Sequence, residues 1–375
     1  MCKARPRTSP LGSYIAPREK LYGHLDRILE IRDRASTTAP INVEIDLSNR
    51  CSLGCEWCHF AYTHTRGPLA GKTKPEGFTS GGDLMDTALA KRIVLQLFDA
   101  GVRSITWTGG GEPTLHPDFD EIIKFTSKLN IAQGIYTHGG HITEARAALL
   151  KDAMTFVYVS LDAADREAYK RDKGVDRFQA ACDGIRRLVA ADGDATIGVG
   201  FLVTERNYND VGRAADLVWS LGADYLQCRP TVLYDQTHPD TPAENTAWIS
   251  DAIRAITKAR EKGKAGVMAL SRPKIDADLD RFRMYQTWQG HGYQTCWWSQ
   301  LQSCITPNGK VWVCVNKREH ANAEIGDLSV EAFADVWARH TAVAVTDDCR
   351  VMCRGHLANL AVGEMAARSP HEAFV

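Results

Sequence analysis

The stretch SNRCSLGCEWCHF, residues 48–60, decides how the rest of the chain is read. It sets Cys51, Cys55 and Cys58 in a C-x3-C-x2-C arrangement. Directly before it, Ile41, Val43, Ile45 and Leu47 alternate with other residues, the period of a strand with one buried face. The cysteines therefore fall in the loop that leaves this strand. Three thiolates are one too few for a closed tetrahedral zinc site, whereas an iron–sulfur cluster held by three cysteines keeps one iron open. A Cys3His zinc knuckle completed by His59 or His64 is the competing reading of the same residues.

Outward from the loop, short β-rich runs alternate with helical periods up to about residue 230, the pattern of parallel βα units. Leu89, Ile93 and Leu97 recur at four-residue spacing beside Val94 and Phe98, a core-facing helical stripe ended by Gly101. Further strands are expected over 103–108, 134–137, 156–160, 197–203 and 225–229, with helices near 119–129, 142–151, 177–190 and 209–220. Six units fall short of the eight of a closed barrel. The expected fold is a partial (β/α)6 TIM-like barrel with polar residues at the C-terminal strand ends. A helix near Ala243 to Lys262, carrying Trp248, Ile249, Ile253 and Ile256 and punctuated by Gly263 to Gly266, reads as a bridge. After residue 290 periodicity weakens while aromatics, glycines and five cysteines accumulate, so this small domain needs a metal staple. The expected division is 1–40 extension, 41–235 barrel, 236–290 helical bridge and 291–375 cysteine-rich iron–sulfur domain with tail.

Composition narrows the function classes. A net charge of −1 over 375 residues gives no general field for nucleic acid. Lys3, Arg5, Arg7, Arg18 and Lys20, and then Arg66, Lys72 and Lys74, make local basic stretches that read as solvated charge or as contacts to a phosphate-bearing substrate. No uncharged apolar run approaches the roughly 20 residues of a membrane span, and MCKARPRTSPLG lacks a signal-peptide core. A cytoplasmic protein with no membrane partner is expected. Eleven cysteines in a reducing compartment point to metal or redox use rather than disulfides. Cys182 reads as a small buried hydrophobe.

The cysteine spacing, with Trp57 before the third cysteine, resembles the cluster loop of the radical S-adenosylmethionine (radical SAM) enzymes. The resemblance implies a [4Fe-4S] cluster on Cys51, Cys55 and Cys58, whose open iron chelates the amino and carboxylate groups of SAM. One electron then breaks the sulfonium to give a 5′-deoxyadenosyl radical. Thr108-Gly109-Gly110-Gly111-Glu112-Pro113 is similar to the family's GGE motif, which implies that Gly110, Gly111 and Glu112 receive the SAM amine. Glycines allow close backbone approach and a carboxylate suits an ammonium; a plain βα turn is the alternative. Ser160 and Asp162 resemble the ribose-contacting position, or else cap the next helix. The strand containing Gly198, Gly200 and Val203 resembles the one lying along the adenine, or else is a buried strand with a bulge. Gln227 and Arg229 share a strand face, where Arg229 either pairs with the SAM carboxylate or makes a structural ion pair. Cys228, beside them, is a candidate hydrogen donor to a substrate radical, with ordinary packing as the alternative.

The C-terminal cysteines extend the likeness. Cys296 and Cys314 form C-x12-G-x4-C through Gly309, followed by Cys349-x3-Cys353. This resembles the SPASM and twitch extensions of radical SAM enzymes and implies an auxiliary [4Fe-4S] cluster on Cys296, Cys314, Cys349 and Cys353, with Cys304 as alternative ligand. A hairpin at Pro307-Asn308-Gly309 would bring Cys304 towards Cys314. Five cysteines suffice for one cluster and not for two all-cysteine clusters; structural zinc is the alternative. The implied activity is hydrogen abstraction from a substrate carbon, with oxidation, epimerisation or rearrangement as outcome. A small molecule such as a sugar or cyclitol, a peptide undergoing maturation, and a modified nucleoside or nucleic acid base remain open as substrates. A flavodoxin or ferredoxin would donate the electron. A non-enzymatic zinc or iron–sulfur sensor is the alternative class.

Overall fold

A computed structural model describes residues 17–58, 83–230, 247–264, 274–276, 279–286, 290–318, 320–346, 349 and 353–367. Cys2, Lys3, Arg5, Arg7, His59, His64, Arg66, Lys72, Lys74 and the start of the expected bridge helix at Ala243 lie outside the described residues. Helices α1 (Pro17–Leu21) and α2 (Leu25–Arg34) lead into β1 (Asn42–Asp46). Alternation then runs through α3 (Thr87–Asp99), β2 (Ser104–Thr108), α4 (Phe119–Thr126), β3 (Ala132–Thr137), α5 (Glu144–Ala153) and β4 (Phe156–Ser160). It continues with α6 (Arg166–Lys173), α7 (Phe178–Ala190), β5 (Thr196–Val203), α8 (Val211–Ser220) and β6 (Tyr225–Pro230). Next come α9 (Trp248–Lys264), which continues through Gly263, β7 (Lys274–Asp276) and α10 (Leu279–Gln286). The C-terminal part holds β8 (Thr295–Cys296), β9 (Gln302–Ile305), β10 (Lys310–Trp312), β11 (Glu324–Asp327), α11 (Phe333–Ala338), β12 (Val343–Ala344) and α12 (His356–Ala366).

Strands β1 to β6 lie side by side, parallel and in chain order, as successive right-handed βα units require. The sheet is larger than the expected six strands. Strand β7 adds to β6, and on the other edge β9 pairs in parallel with β1, matching Asn42 with Gln302 and Ile45 with Ile305. Hairpin β9–β10 and then β11 complete a ten-stranded sheet. The cysteine-rich segment therefore continues the barrel sheet. The helix α12 also packs back on α2 through Ile28, Ile31, Ala358 and Val362.

Alternation along β1 separates two environments. Val43, Ile45 and Leu47 join the helix-facing core with Ile93, Val94 and Leu97 of α3, each such burial contributing about 1.5–3 kcal/mol. Phe98, expected in that stripe, is 38% exposed. Glu44 and Asp46 face the other side, the inner face of the sheet. Glycines shape that face. A Cβ on Gly198 would stand 2.2 Å from the Tyr225 ring and one on Gly200 2.2 Å from the Tyr158 hydroxyl. The glycines make room for tyrosines, and the register runs unbroken through β5, so the bulge reading is corrected.

Candidate functional site

Residues 51–58 have no helix or strand of their own, so their neighbours fix them. The Gly54 N–H donates to the Lys173 carbonyl at 2.9 Å and the Glu56 N–H to the Asp172 carbonyl at 3.1 Å, both at the end of α6. Within the loop, the Cys58 N–H donates to the Cys55 carbonyl at 3.2 Å. On the other side the Arg50 carbonyl accepts from the Glu112 N–H at 2.8 Å. This crossing needs glycine: a Cβ on Gly111 would stand 2.2 Å from the Arg50 oxygen, and one on Gly109 2.9 Å from the Ser48 oxygen. The glycine run after β2 thus seats the cysteine loop. Burial pushes the Cys55 thiol up to about 12, against the pull of Lys173. Cys51 is raised too, by burial first and then by Glu112 and the other two thiols. A bound cationic centre is what would convert such thiols to thiolates.

Glu112 is 2% exposed, and its carboxylate is already engaged. Oε1 accepts from the Thr114 N–H at 3.2 Å, the Thr114 hydroxyl at 2.5 Å and the Thr137 hydroxyl at 2.6 Å, while Oε2 accepts from the His138 N–H at 2.8 Å. Burial alone would raise this carboxyl, but the nearby His138 ring and these donors hold it below the ordinary range. An incoming ammonium would have to share Oε2. His138 Nδ1 accepts from the Gly140 N–H at 3.0 Å, so its proton sits on Nε2, which donates to Ser52 Oγ at 3.1 Å. Ser52 then donates to His141 Nε2, also at 3.1 Å. Burial depresses the His141 pKa to about 4, in keeping with a neutral acceptor.

Several expected contacts fall elsewhere. Asp162 is buried and pairs with Lys173, with Oδ1 accepting from the Leu202 N–H at 2.9 Å. Its carboxylate is committed to that pair and not open to a ribose, while half-buried Ser160 lies on the inner face of β4 with Tyr158. Val203 is packed into the helix-facing core, leaving only its backbone for an adenine. Trp57 lies beneath the Lys173 ammonium, 5.4 Å from its ring centroid. Arg229 does face inward, donating to the Tyr158 hydroxyl at 2.9 Å and stacking on Tyr136 and Tyr158. Cys228 does not. Because strand residues alternate, it points away from Arg229 into the core beside Phe201 and Val199, at 0% exposure, and cannot serve as a hydrogen donor at the inner face.

The inner face also holds groups not singled out from the sequence. Arg318 pairs with Asp46, whose Oδ2 also accepts from the Gly110 N–H at 3.1 Å. Arg354 pairs with Glu44, which accepts from Gln302 at 2.8 Å. Two arginines from the C-terminal segment thus neutralise the two carboxylates of β1. Charged residues alternating with fully apolar ones in a central strand were the available signal.

Cys296, Cys314, Cys349 and Cys353 line one cavity of ≈ 280 Å³, shared with Tyr293, Asn316 and Asn359. Donors converge on the sulfurs: the Gly355 N–H on Cys353 at 3.3 Å, the Thr346 N–H on Cys349 at 3.5 Å and the Asn359 amide on Cys296 at 3.6 Å. Such N–H to sulfur contacts suit thiolates ligating an iron–sulfur cluster. Cys304 is outside this lining. The hairpin pairs it with Trp312 rather than bringing it to Cys314, and it is wholly buried among Trp312, Val313 and Val315. The alternative-ligand reading of Cys304 is corrected accordingly.

A model of the radical SAM superfamily matches residues 45–218, and one of the SPASM iron–sulfur cluster-binding domain matches residues 296–355. The chain is a radical SAM enzyme. It is 26% identical over 308 residues to a PqqA peptide cyclase of Methylobacterium nodulans, covering 81% of this chain and 74% of the relative. A probable GTP 3′,8-cyclase of Sulfurisphaera tokodaii is 24% identical over 218 residues, covering 58% of this chain and 62% of the relative. Among solved structures, Streptococcus suis SuiB bound to S-adenosylmethionine shares the fold, with a TM-score of 0.61 and 16% identity over 85% of this chain and 70% of that one. The enzyme's cofactors are accordingly a [4Fe-4S] cluster with SAM, and iron–sulfur in the SPASM segment. None of the helices among the described residues is long and apolar enough to cross a membrane.

Proposed function

We propose that this enzyme modifies a peptide by removing hydrogen from one of its carbon atoms. The observation that carries the reading is the extent of the PqqA peptide cyclase match: 308 residues cannot fit within the barrel, so it runs into the cysteine-rich segment, whereas the GTP 3′,8-cyclase match spans 218. Cys51, Cys55 and Cys58 would hold the SAM-cleaving cluster, and Cys296, Cys314, Cys349 and Cys353 an auxiliary one. When bound, cluster and SAM supply the 5′-deoxyadenosyl radical. The chain's own groups position and shield. Gly110 and Gly111 give close backbone approach to the SAM amine, Glu112 Oε2 shares its charge, Ser160 faces the ribose, and Arg229 offers a guanidinium to a carboxylate. The paired charges Glu44–Arg354 and Asp46–Arg318 wall the inner face without presenting an uncompensated charge to the radical. A flavodoxin or ferredoxin supplies the electron.

The test uses reconstituted, dithionite-reduced enzyme with SAM, offered the short peptides encoded beside its gene and, in parallel, GTP. The expected result is 5′-deoxyadenosine together with a peptide altered in hydrogen count or connectivity by tandem mass spectrometry. Turnover of GTP with every peptide unchanged would overturn the reading.

A further inference from the structure

The pair Asp162–Lys173 sits behind the cysteine loop, and none of the roles assigned above uses it. Both amides flanking Cys55, those of Gly54 and Glu56, donate to carbonyls of the last two residues of α6, Lys173 and Asp172. Gly174, at φ +71, ends that helix so tightly against the loop that a Cβ there would stand 2.8 Å from the Gly54 oxygen. The Lys173 ammonium then turns under the loop, over the Trp57 ring and against Asp162. Asp162 is itself held at φ 56, a left-handed conformation unusual for a non-glycine residue, with its N–H donating to the Gly200 carbonyl at 2.9 Å. Buried ion pairs are weak stabilisers, because desolvation offsets most of the attraction and an apolar pair often serves as well. A wholly buried lysine at this position calls for another reason.

We propose that Lys173 is a positioning residue that clamps the cluster loop through its carbonyl and, through its fixed positive charge beside Cys55, raises the reduction potential of the cluster held there. A nearby cation stabilises the added electron, and net charge around a cluster is one of the determinants of its potential. Asp162 does not cancel the effect. The cation is the member of the pair turned to the loop: its ammonium lies 5.4 Å from the Trp57 ring centroid, whereas Asp162 is tied to β5 through Gly200 and Leu202. The inference rests on Cys51, Cys55 and Cys58 being the cluster ligands.

The test is an anaerobic redox titration of the reconstituted full chain, followed by electron paramagnetic resonance on the signal that added SAM perturbs. Four proteins are compared: wild type, Lys173→Met, Lys173→Arg and the double variant Asp162→Asn/Lys173→Met, which leaves no buried carboxylate unpaired. Loss of the charge should lower the reduced fraction at a fixed potential about tenfold in Lys173→Met, 59 mV for a one-electron couple, and in the same direction but by less in the double variant, which also removes the opposing carboxylate. Lys173→Arg should titrate as wild type. A double variant with full iron content and a wild-type midpoint would overturn the proposal, as would Lys173→Arg shifting as far as Lys173→Met. Cys55→Ala separates the premise: losing the SAM-perturbed signal supports the ligand assignment, and keeping it overturns that assignment instead.

Discussion

Gly111→Ala tests whether the glycine run exists to seat the cysteine loop. The added Cβ would stand 2.2 Å from the Arg50 carbonyl oxygen and 2.6 Å from its carbon and nitrogen, all backbone atoms. Ordinary contact begins at 3.4 Å, so the two segments must part by about 1.2 Å, the difference of 3.4 and 2.2. Gly111 does not have a left-handed φ, so the effect is steric rather than conformational. Parting the two segments also breaks the 2.8 Å hydrogen bond from the Glu112 N–H to Arg50. Overpacking of this kind costs about 1–3 kcal/mol, and a displacement near 1 Å in a reacting constellation costs about 100-fold in rate. Arg50 directly precedes Cys51, so the shift passes straight to the first proposed ligand. The assay is anaerobic reconstitution, with iron content, unfolding midpoint and 5′-deoxyadenosine formation measured together. Gly212→Ala is the control: it lies in α8 with no atom within 4 Å of its Cβ, and it should leave SAM cleavage unchanged and gain about 0.5–1 kcal/mol. Wild-type SAM cleavage by Gly111→Ala would refute the seating argument.

Replacing Cys296, Cys314, Cys349 and Cys353 together should lower the iron content from roughly eight to about four per chain while slow SAM cleavage persists; stoichiometric zinc in place of the lost iron would defeat the auxiliary-cluster assignment. Arg318→Met leaves the fully buried Asp46 carboxylate unpaired and should cost about 3–5 kcal/mol in anaerobic denaturation, most of it recovered in Asp46→Asn/Arg318→Met. Equal losses in the single and double variants would show that the pair is not coupled. Burial holds the His340 pKa below 6.5, with Nε2 donating to the Ser299 carbonyl at 3.0 Å. The unfolded chain therefore binds more protons below pH 6.5, and stability falls as pH drops through 6.5 towards the folded value. His340→Gln should flatten that part of the pH profile of the unfolding midpoint, and an unaltered profile would count against it.

The sequence by itself determined the chemistry and the order of the barrel. Cys51, Cys55 and Cys58 carry their proposed role in their spacing, because ligation by one loop would be a local property, and strands β1 to β6 are legible because burial imposes period 2 on each of them. Tertiary structure decided which residues face the site and what joins its parts. Gln227, Cys228 and Arg229 are neighbours in sequence, yet the pleat sends Cys228 into the core and its neighbours inward. The pairing of β9 with β1, and the partnerships of Asp46 with Arg318 and Glu44 with Arg354, join residues more than 250 positions apart. Spacing along the chain has no term for such contacts. Lys173 was equally hidden, a lysine at a helix end that reads as solvated until the cysteine loop folds over it and Asp162 meets it from β4's end. Local periodicity fixes what a residue's own element buries; the packing of distant elements fixes which charges end up beside the cluster loop.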